Sequence, residues 1–237
     1  MEISIVMPAY NEEENISETV LRCLAVIDSL GVTGEVVVTD DGSRDKTGEI
    51  LAQLRSRDSR VRIETNDPNQ GYGNALRRAI LAASGEKIAT IDSDGQFDIS
   101  ELPELLQAMN GFRAVTGYRK RKQDSLFRVI ADRGLNLLIR MLFRIRLRDT
   151  NCAFKIYERN LIRGIEIETN GYQTPTEILL KLVTRGEPVA EAPITHSPRQ
   201  AGRSALHPWR TMAEMLLFLL YMKLKQILYR RKIIANY

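Results

Sequence analysis

Short β-branched runs alternate along this chain with longer stretches of helical periodicity. The first four runs fall at residues 3–7, 36–39, 61–64 and 87–91, and residues 12–30, 46–57 and 72–83 between them read as helices. Such alternation predicts right-handed βαβ units and an α/β fold: a mainly parallel sheet covered by helices on both faces. A further helix is expected at 103–109 and a strand at 114–117. The pattern then changes: an amphipathic helix at 124–143, with Arg128, Arg133, Arg140 and Arg144 flanking its apolar stripe, a strand at 153–157, a helix at 175–184 and a last strand at 189–194. Residues 197–208 read as a loop carrying Arg199, Gly202 and Arg203, and 209–230 as a final amphipathic helix. No internal repeat or low-complexity tract interrupts this order.

Each early strand ends in small or polar residues: Pro8-Ala9-Tyr10-Asn11, Asp40-Asp41-Gly42-Ser43, residues 66–73, and Asp92 to Gly95. Ligands of open α/β sheets bind outside the carboxyl ends of the strands, so these four loops are expected to line one rim.

Composition adds limits rather than identity. With 237 residues and 43% apolar content the chain can bury a full core. The net charge of +4 is uneven, since residues 119–148 hold ten Arg or Lys against two Asp. Aromatic side chains for base stacking are not interleaved with these cations, which argues against nucleic acid as the partner. Cys23 and Cys152 fit no metal or redox spacing and suit a reducing compartment. The first residues lack the features of a signal peptide, and the most apolar window, 212–224, is broken by Glu214 and Lys223 and is shorter than the about 20 residues that span a bilayer.

The chemistry concentrates in Asp92-Ser93-Asp94-Gly95-Gln96. Two carboxylates two residues apart on an irregular strand end can both reach one hard divalent cation, and such a cation needs few protein ligands when phosphates supply the rest. The bland reading is a capped turn, which this sequence also suits. An EF-hand loop fails because Gln96 and Phe97 stand where Asp or Asn and then Gly are required. An aspartyl-phosphate phosphatase also uses Asp-x-Asp-Gly, but after its first strand and followed by Thr, whereas here Gln96 follows roughly the fourth strand. Asp40 and Asp41 read either as a turn into the next helix, with Ser43 or Asp45 as N-cap, or as acceptors for a nucleobase or ribose.

Taken together, "VMPAYNEEENI", "VVTDDGSRDKTGEI", "NQGYGNALRRAI", "IATIDSDGQF", "VTGYR", "ADRGLNLL", "TNCAFKIY" and "PITHSPRQAGRS" resemble, in order, the family 2 glycosyltransferases of GT-A fold, specifically the dolichyl- and polyprenyl-phosphate glycosyltransferases. The resemblance covers about the first 205 residues. It implies a catalytic domain over 1–205 and an amphipathic C-terminal helix over 206–237.

It also implies a reaction, in which a sugar passes from a UDP- or GDP-sugar to a polyprenyl phosphate with inversion, aided by Mg²⁺ or Mn²⁺. By the same resemblance Pro8, Tyr10 and Glu12 with Asp40 and Asp41 surround the nucleoside, and Asp92, Ser93 and Asp94 adjoin the donor. Asp92, Asp94 and Gln96 match the metal pattern, Arg119 and Arg133 face the acceptor phosphate, and Arg199 closes on the donor diphosphate. Arginine suits those last roles through bidentate, permanently charged recognition of phosphate. Lys120, Arg121 and Lys122 read instead as a solvated face.

An acceptor phosphate is already anionic and needs no strong base, whereas a sugar hydroxyl on a glycan or glycolipid of the cell envelope, the alternative acceptor, would want one. Asp149 and Glu177 are the candidates for it. Three positions depart from the family pattern: Tyr72 and Ala205 where lysine is common, and Cys152 where glycine is frequent. Many members carry transmembrane helices after the catalytic domain; residues 209–232 here form instead a basic amphipathic helix suited to the cytoplasmic surface of a membrane. The alternatives for this helix and for 124–143 are packing on the sheet, a second copy of the chain, or a separate membrane partner.

Overall fold

The computed structural model describes residues 1–120, 126–199, 208–235 and 237. Arg121, Lys122, Gly202, Arg203 and Ala205 lie outside the described residues, and of Arg128 and Trp209 only the backbone is described.

The apolar runs form strands at the expected places: β1 (Ile3–Ala9), β2 (Gly34–Asp40), β3 (Val61–Thr65), β4 (Lys87–Thr90), β5 (Ala114–Arg119), β6 (Lys155–Glu158) and β7 (Ala190–Ile194). The helices are α1 (Ile16–Leu30), α2 (Thr47–Arg57), α3 (Tyr72–Ala82), α4 (Leu102–Ala108), α5 (Leu126–Phe143), α6 (Arg159–Arg163), α7 (Thr174–Thr184) and α8 (Pro208–Arg230). They flank one seven-stranded sheet of order β3-β2-β1-β4-β6-β5-β7. All neighbours pair in parallel except β6, which runs antiparallel to both β4 and β5.

β1 and β2 are buried along their whole length, as strands covered on both faces must be, so their pattern is continuous rather than alternating. One face packs on α1, α2 and α4 through Ile5, Met7, Ile16, Val20, Leu51 and Leu105. The other packs on α3 and α7 through Val6, Val37, Leu76, Ile80 and Ile178. Cys23 and Cys152 are free and sealed in the core, and burial pushes both thiols up to about 12, away from thiolate chemistry.

A third core lies between α5, α7 and α8. There α8 buries Met215, Phe218, Leu219 and Met222 against Ile139, Phe143, Leu179 and Leu180. Each such side chain contributes about 1.5–3 kcal/mol when fully buried, which holds α8 against the rest of the chain. The opposite side of α8 leaves Leu217, Leu220 and Leu224 in solvent at 68%, 64% and 58% exposure. No helix of the described residues is long and apolar enough to cross a membrane.

Three details differ from the expectation. α1 begins at Ile16 rather than near residue 12, because Glu12 to Asn15 form a turn whose Glu12 carbonyl accepts from both Asn15 N and Ile16 N. β6 starts at Lys155, two residues late, after a turn around Thr150 and Asn151. The five-residue α6 was not expected; one turn of apolar periodicity is too short to stand out.

Candidate active site

The carboxyl ends of β1, β2 and β4 meet on one rim, as their polar endings predict. Ser93 Oγ donates to the Pro8 carbonyl at 2.8 Å, joining the end of β4 to β1, while Thr19 Oγ1 donates to the Ser93 carbonyl at 3.2 Å. Ser93 and Pro8 thus brace the rim from behind.

Asp40 and Asp41 differ in their engagement. Asp40 Oδ1 accepts from Ser43 N at 3.0 Å and closes the turn after β2. Both oxygens of Asp41 face the 66–71 loop, accepting from Asn66 Nδ2 at 2.8 Å, Gln70 N at 2.9 Å and Gly71 N at 2.8 Å. The N-cap of α2 is Lys46, with no side-chain capping bond, so neither Ser43 nor Asp45 holds that position; Asp45 Oδ1 accepts from Thr47 N at 2.9 Å just before the helix, and the Ser43 hydroxyl accepts from Asn11 N. Asn11, in the left-handed region at φ 54°, returns a bond to the same loop through Oδ1 and Arg44 N at 2.8 Å. Tyr10 stands exposed beside it.

Asp92 and Asp94 sit half-buried at the end of β4. Burial, then the charge of Asp94, pushes the Asp92 carboxyl up to about 7, partly offset by a hydrogen bond from Tyr72 Oη at 2.9 Å. Two carboxylates in one partly buried place thus resist joint ionisation unless a cation joins them. Asp94 Oδ1 accepts from Gln96 N at 3.1 Å, so the capped turn and the carboxylate pair are both present in one segment. Gln96 Nε2 donates to the Ser197 carbonyl at 3.0 Å, and Ser197 N returns to the Gln96 carbonyl at 2.8 Å. Gln96 therefore ties the carboxylate turn to the strand end that leads to Arg199. Among the described residues no three His, Cys, Asp or Glu side chains gather into a metal cage. A pair of hard oxygen donors on an open rim instead fits a cation whose remaining ligands come from phosphate.

Arg199 crosses the rim from the other end of the chain. Its Nη2 meets both oxygens of Glu12, at 2.5 and 2.6 Å, and its Nη1 lies 3.8 Å from Asp94 Oδ2. Burial raises the Glu12 carboxyl, against hydrogen bonds from Asn15 and Arg199 that lower it. Glu12, which the resemblance sets beside the nucleoside, is thus also the residue that holds this arginine.

Arg119 closes the opposite side. Its Nε donates to Asp149 Oδ2 at 2.7 Å and its Nη2 to Asp149 Oδ1 at 3.1 Å and Asp132 Oδ2 at 3.2 Å. Arg133, next to Asp132 on α5, is exposed. Beneath this group lies Lys155 of β6, fully buried, with Nζ donating to Thr116 Oγ1 at 3.0 Å and the Thr150 carbonyl at 3.3 Å. Burial pushes the Lys155 ammonium down to about 8.

Glu177 occupies the first turn of α7 with no solvent exposure and pairs with Lys181 Nζ at 2.7 Å. Its oxygens accept from Glu168 N at 2.8 Å and Thr169 N at 2.9 Å. Lys181 also meets Glu168, which in turn binds Lys225 and Tyr221 of α8. Glu177 thus shapes the 168–174 loop, whose Tyr172 ring lies 5.3 Å from that of Tyr72.

In the sequence Tyr72 stands out only as a departure from the family pattern, and Asp132, Lys155, Glu168 and Tyr172 do not stand out as site residues. Tyr172 adjoins no charged motif. Lys155 sits in an apolar strand, and that buried position was the one signal that could have singled it out.

Residues 4–164 match the family described as glycosyl transferase family 2. Glycosyltransferase AglD of Haloferax volcanii is 34% identical over 209 residues, covering 84% of this chain and 34% of that protein. The undecaprenyl-phosphate 4-deoxy-4-formamido-L-arabinose transferase of Edwardsiella ictaluri is 32% identical over 204 residues, covering 85% and 62%. The chain therefore spans less than two thirds of the length of these curated relatives. Among solved structures, glucosyl-3-phosphoglycerate synthase from Mycobacterium tuberculosis, in complex with Mn²⁺ and UDP-glucose, superposes with a TM-score of 0.71 at 22% identity over 94% of this chain and 78% of that one. That likeness fixes the fold as GT-A. With the family pattern spanning both the strands that carry the carboxylate rim and β6 behind it, the chain belongs to glycosyl transferase family 2.

Proposed function

We propose that this chain is the catalytic part of an inverting glycosyltransferase that moves a sugar from a nucleoside diphosphate sugar to a polyprenyl phosphate, with a divalent cation. The observation that carries the reading is the meeting of Asp92 and Asp94 with Arg199 on the carboxyl rim of the sheet. Asp92 and Asp94 would hold the cation, with Gln96 fixing their turn; bound there, it would offset charge on the diphosphate leaving group. Mn²⁺ accompanies UDP-glucose in the solved relative, which supports a cation of this kind without choosing Mn²⁺ over Mg²⁺.

The protein's own groups then have separable tasks. Asp40 and Tyr10 border the nucleoside side, with Asp41 holding the 66–71 loop in place. Arg199, kept near by Glu12, is placed to meet donor phosphate oxygens, and a guanidinium can engage two of them at once. Arg119, aligned by Asp132 and Asp149 and next to Arg133, offers positive charge for the incoming phosphate. That oxygen attacks the anomeric carbon as the bond to the diphosphate breaks, so the configuration inverts and the nucleoside diphosphate leaves. Positioning and charge compensation suffice when the nucleophile is already anionic.

The contacts of the two candidate bases support a phosphate acceptor: Asp149 is held by the Arg119 fork, and Glu177 by Lys181 and two backbone amides. The relative named as an undecaprenyl-phosphate transferase supports the same choice. The test is radiolabelled transfer from a panel of UDP- and GDP-sugars, with Mn²⁺ or Mg²⁺, to short-chain polyprenyl phosphate and, in parallel, to sugar hydroxyl acceptors. Lipid-linked product is the expected result; product on the hydroxyl acceptors alone would overturn it.

A lipid acceptor also calls for a surface that meets a membrane. Leu217, Leu220 and Leu224 lie on one stripe of α8, with Leu137 and Met141 exposed on neighbouring α5 and Arg231 and Lys232 just beyond α8. Peripheral binding through this face predicts that Leu217→Ser, Leu220→Ser and Leu224→Ser together abolish co-sedimentation with anionic vesicles. Equal co-sedimentation of wild type and triple variant would remove α8 from that role.

A further inference from the structure

We infer that Tyr72 is a positioning residue that fixes the Asp92 carboxylate for a divalent cation and is itself locked by the 169–174 loop. The inference rests on the proposed reading of Asp92 and Asp94 as the cation site.

Four observations on three elements converge. The Tyr72 hydroxyl donates to Asp92 Oδ1 at 2.9 Å across 20 residues of chain, from the first position of α3 to the end of β4. The tyrosine is flanked by Gly71 and Gly73, and a Cβ on either would collide with the 169–174 loop: with the Asn170 carbonyl from Gly71, and with the Thr169 carbonyl and Thr174 Oγ1 from Gly73. Gly71 is also at φ 92°, a conformation that side chains rarely adopt. Gly73 N donates to the Asn170 carbonyl at 2.9 Å, so backbone meets backbone where the glycines permit it. Finally, the Tyr172 ring packs on the Tyr72 ring at 5.3 Å and an interplanar angle of 32°.

These contacts pin the backbone on both sides of Tyr72 and its ring on one face, which leaves its hydroxyl little freedom except toward Asp92. A carboxylate has about four lone-pair directions, and a phenol occupies one of them. The remaining directions stay open to a cation. A phenol is uncharged near neutral pH, so it acts as a neutral donor. A neutral donor orients the carboxylate without cancelling the charge that draws a cation in; an ammonium at the same place would do both. Outer partners of this kind are worth about 10–100-fold in metal affinity.

The test measures Mn²⁺ binding to the whole chain by electron paramagnetic resonance in the presence of UDP, with no transfer required. Tyr72→Phe keeps the ring and removes the donor, and should weaken Mn²⁺ about 10-fold with an unchanged melting temperature. Tyr172→Leu keeps the donor but frees the ring, and should give a smaller loss. Tyr157→Phe removes a hydroxyl on β6 that is buried without a hydrogen-bond partner among the described residues, and should leave Mn²⁺ affinity unaltered. Tyr72→Phe binding Mn²⁺ within twofold of wild type would overturn the inference while leaving the cation site standing. Absence of Mn²⁺ binding by wild type would overturn the cation site and the inference with it.

Discussion

Asp94→Asn is expected to lower sugar transfer by at least about 10²–10³-fold, the range seen when one preorganised electrostatic group is removed from an active site. The substitution separates the two roles of this side chain. An amide oxygen can still accept the bond from Gln96 N that closes the turn at 3.1 Å, so the turn and the Ser197 contacts of Gln96 should persist. What disappears is the charge that pairs with Asp92 and lies 3.8 Å from Arg199. The same loss in Asp94→Ala, with a melting temperature close to wild type in both, would assign the effect to charge. Near-normal transfer by Asp94→Asn would show that the segment serves as a turn alone. A secondary effect has a defined sign: the charge of Asp94 is among the causes that raise Asp92 to about 7, so Asp92 should titrate lower in either variant.

Lys181→Met should destabilise the fold by about 3–5 kcal/mol, the cost of leaving one partner of a buried ion pair alone. Lys181 and Glu177 both have no side-chain exposure, and removal of the ammonium leaves Glu177 with hydrogen bonds but without its counter-charge. Glu168 retains Lys225 and Tyr221. Denaturant unfolding measures the effect, and a loss below about 1 kcal/mol, the scale of exposed pairs, would mean that the pair is functionally solvated.

The same network fixes an acid limb. Burial alone would raise Glu168, but hydrogen bonds from Lys181, Lys225 and Tyr221 outweigh it and hold the carboxyl at about 2, below its ordinary 4.5. A depressed acid stabilises the fold above the unfolded value and loses that contribution as pH falls from about 4.5 toward 2. Glu168→Gln should therefore flatten the decline in stability across that window. Because Glu177 also positions the loop carrying Tyr172, damage here should reach the carboxylate rim through Tyr72 rather than through any direct contact.

Along the chain itself, local periodicity was enough to place the strands and helices, since each apolar run and its spacing reflect burial of that segment alone. β1 to β5 and α1 to α5 fall within a few residues of expectation for this reason. The polar strand endings likewise placed Asp40, Asp41, Asp92 and Asp94 on one rim, because parallel strands bring their carboxyl ends together whatever the side chains are. α6 and the antiparallel course of β6 were not legible: one is too short to show a period, and strand direction depends on how the chain returns to the sheet.

What the sequence determined was thus the fold and an inventory of charged groups on its rim. Which protein groups each of those charges meets was decided by tertiary structure alone. Asp41 turns to the 66–71 loop, Asp149 to Arg119 and Glu177 to Lys181, while Glu12 meets Arg199 from 187 residues away and Tyr72 reaches Asp92. The physical reason is range: burial periodicity is recorded residue by residue, but a hydrogen bond is made only within about 3 Å. Whether two such atoms come that close depends on how separate elements pack.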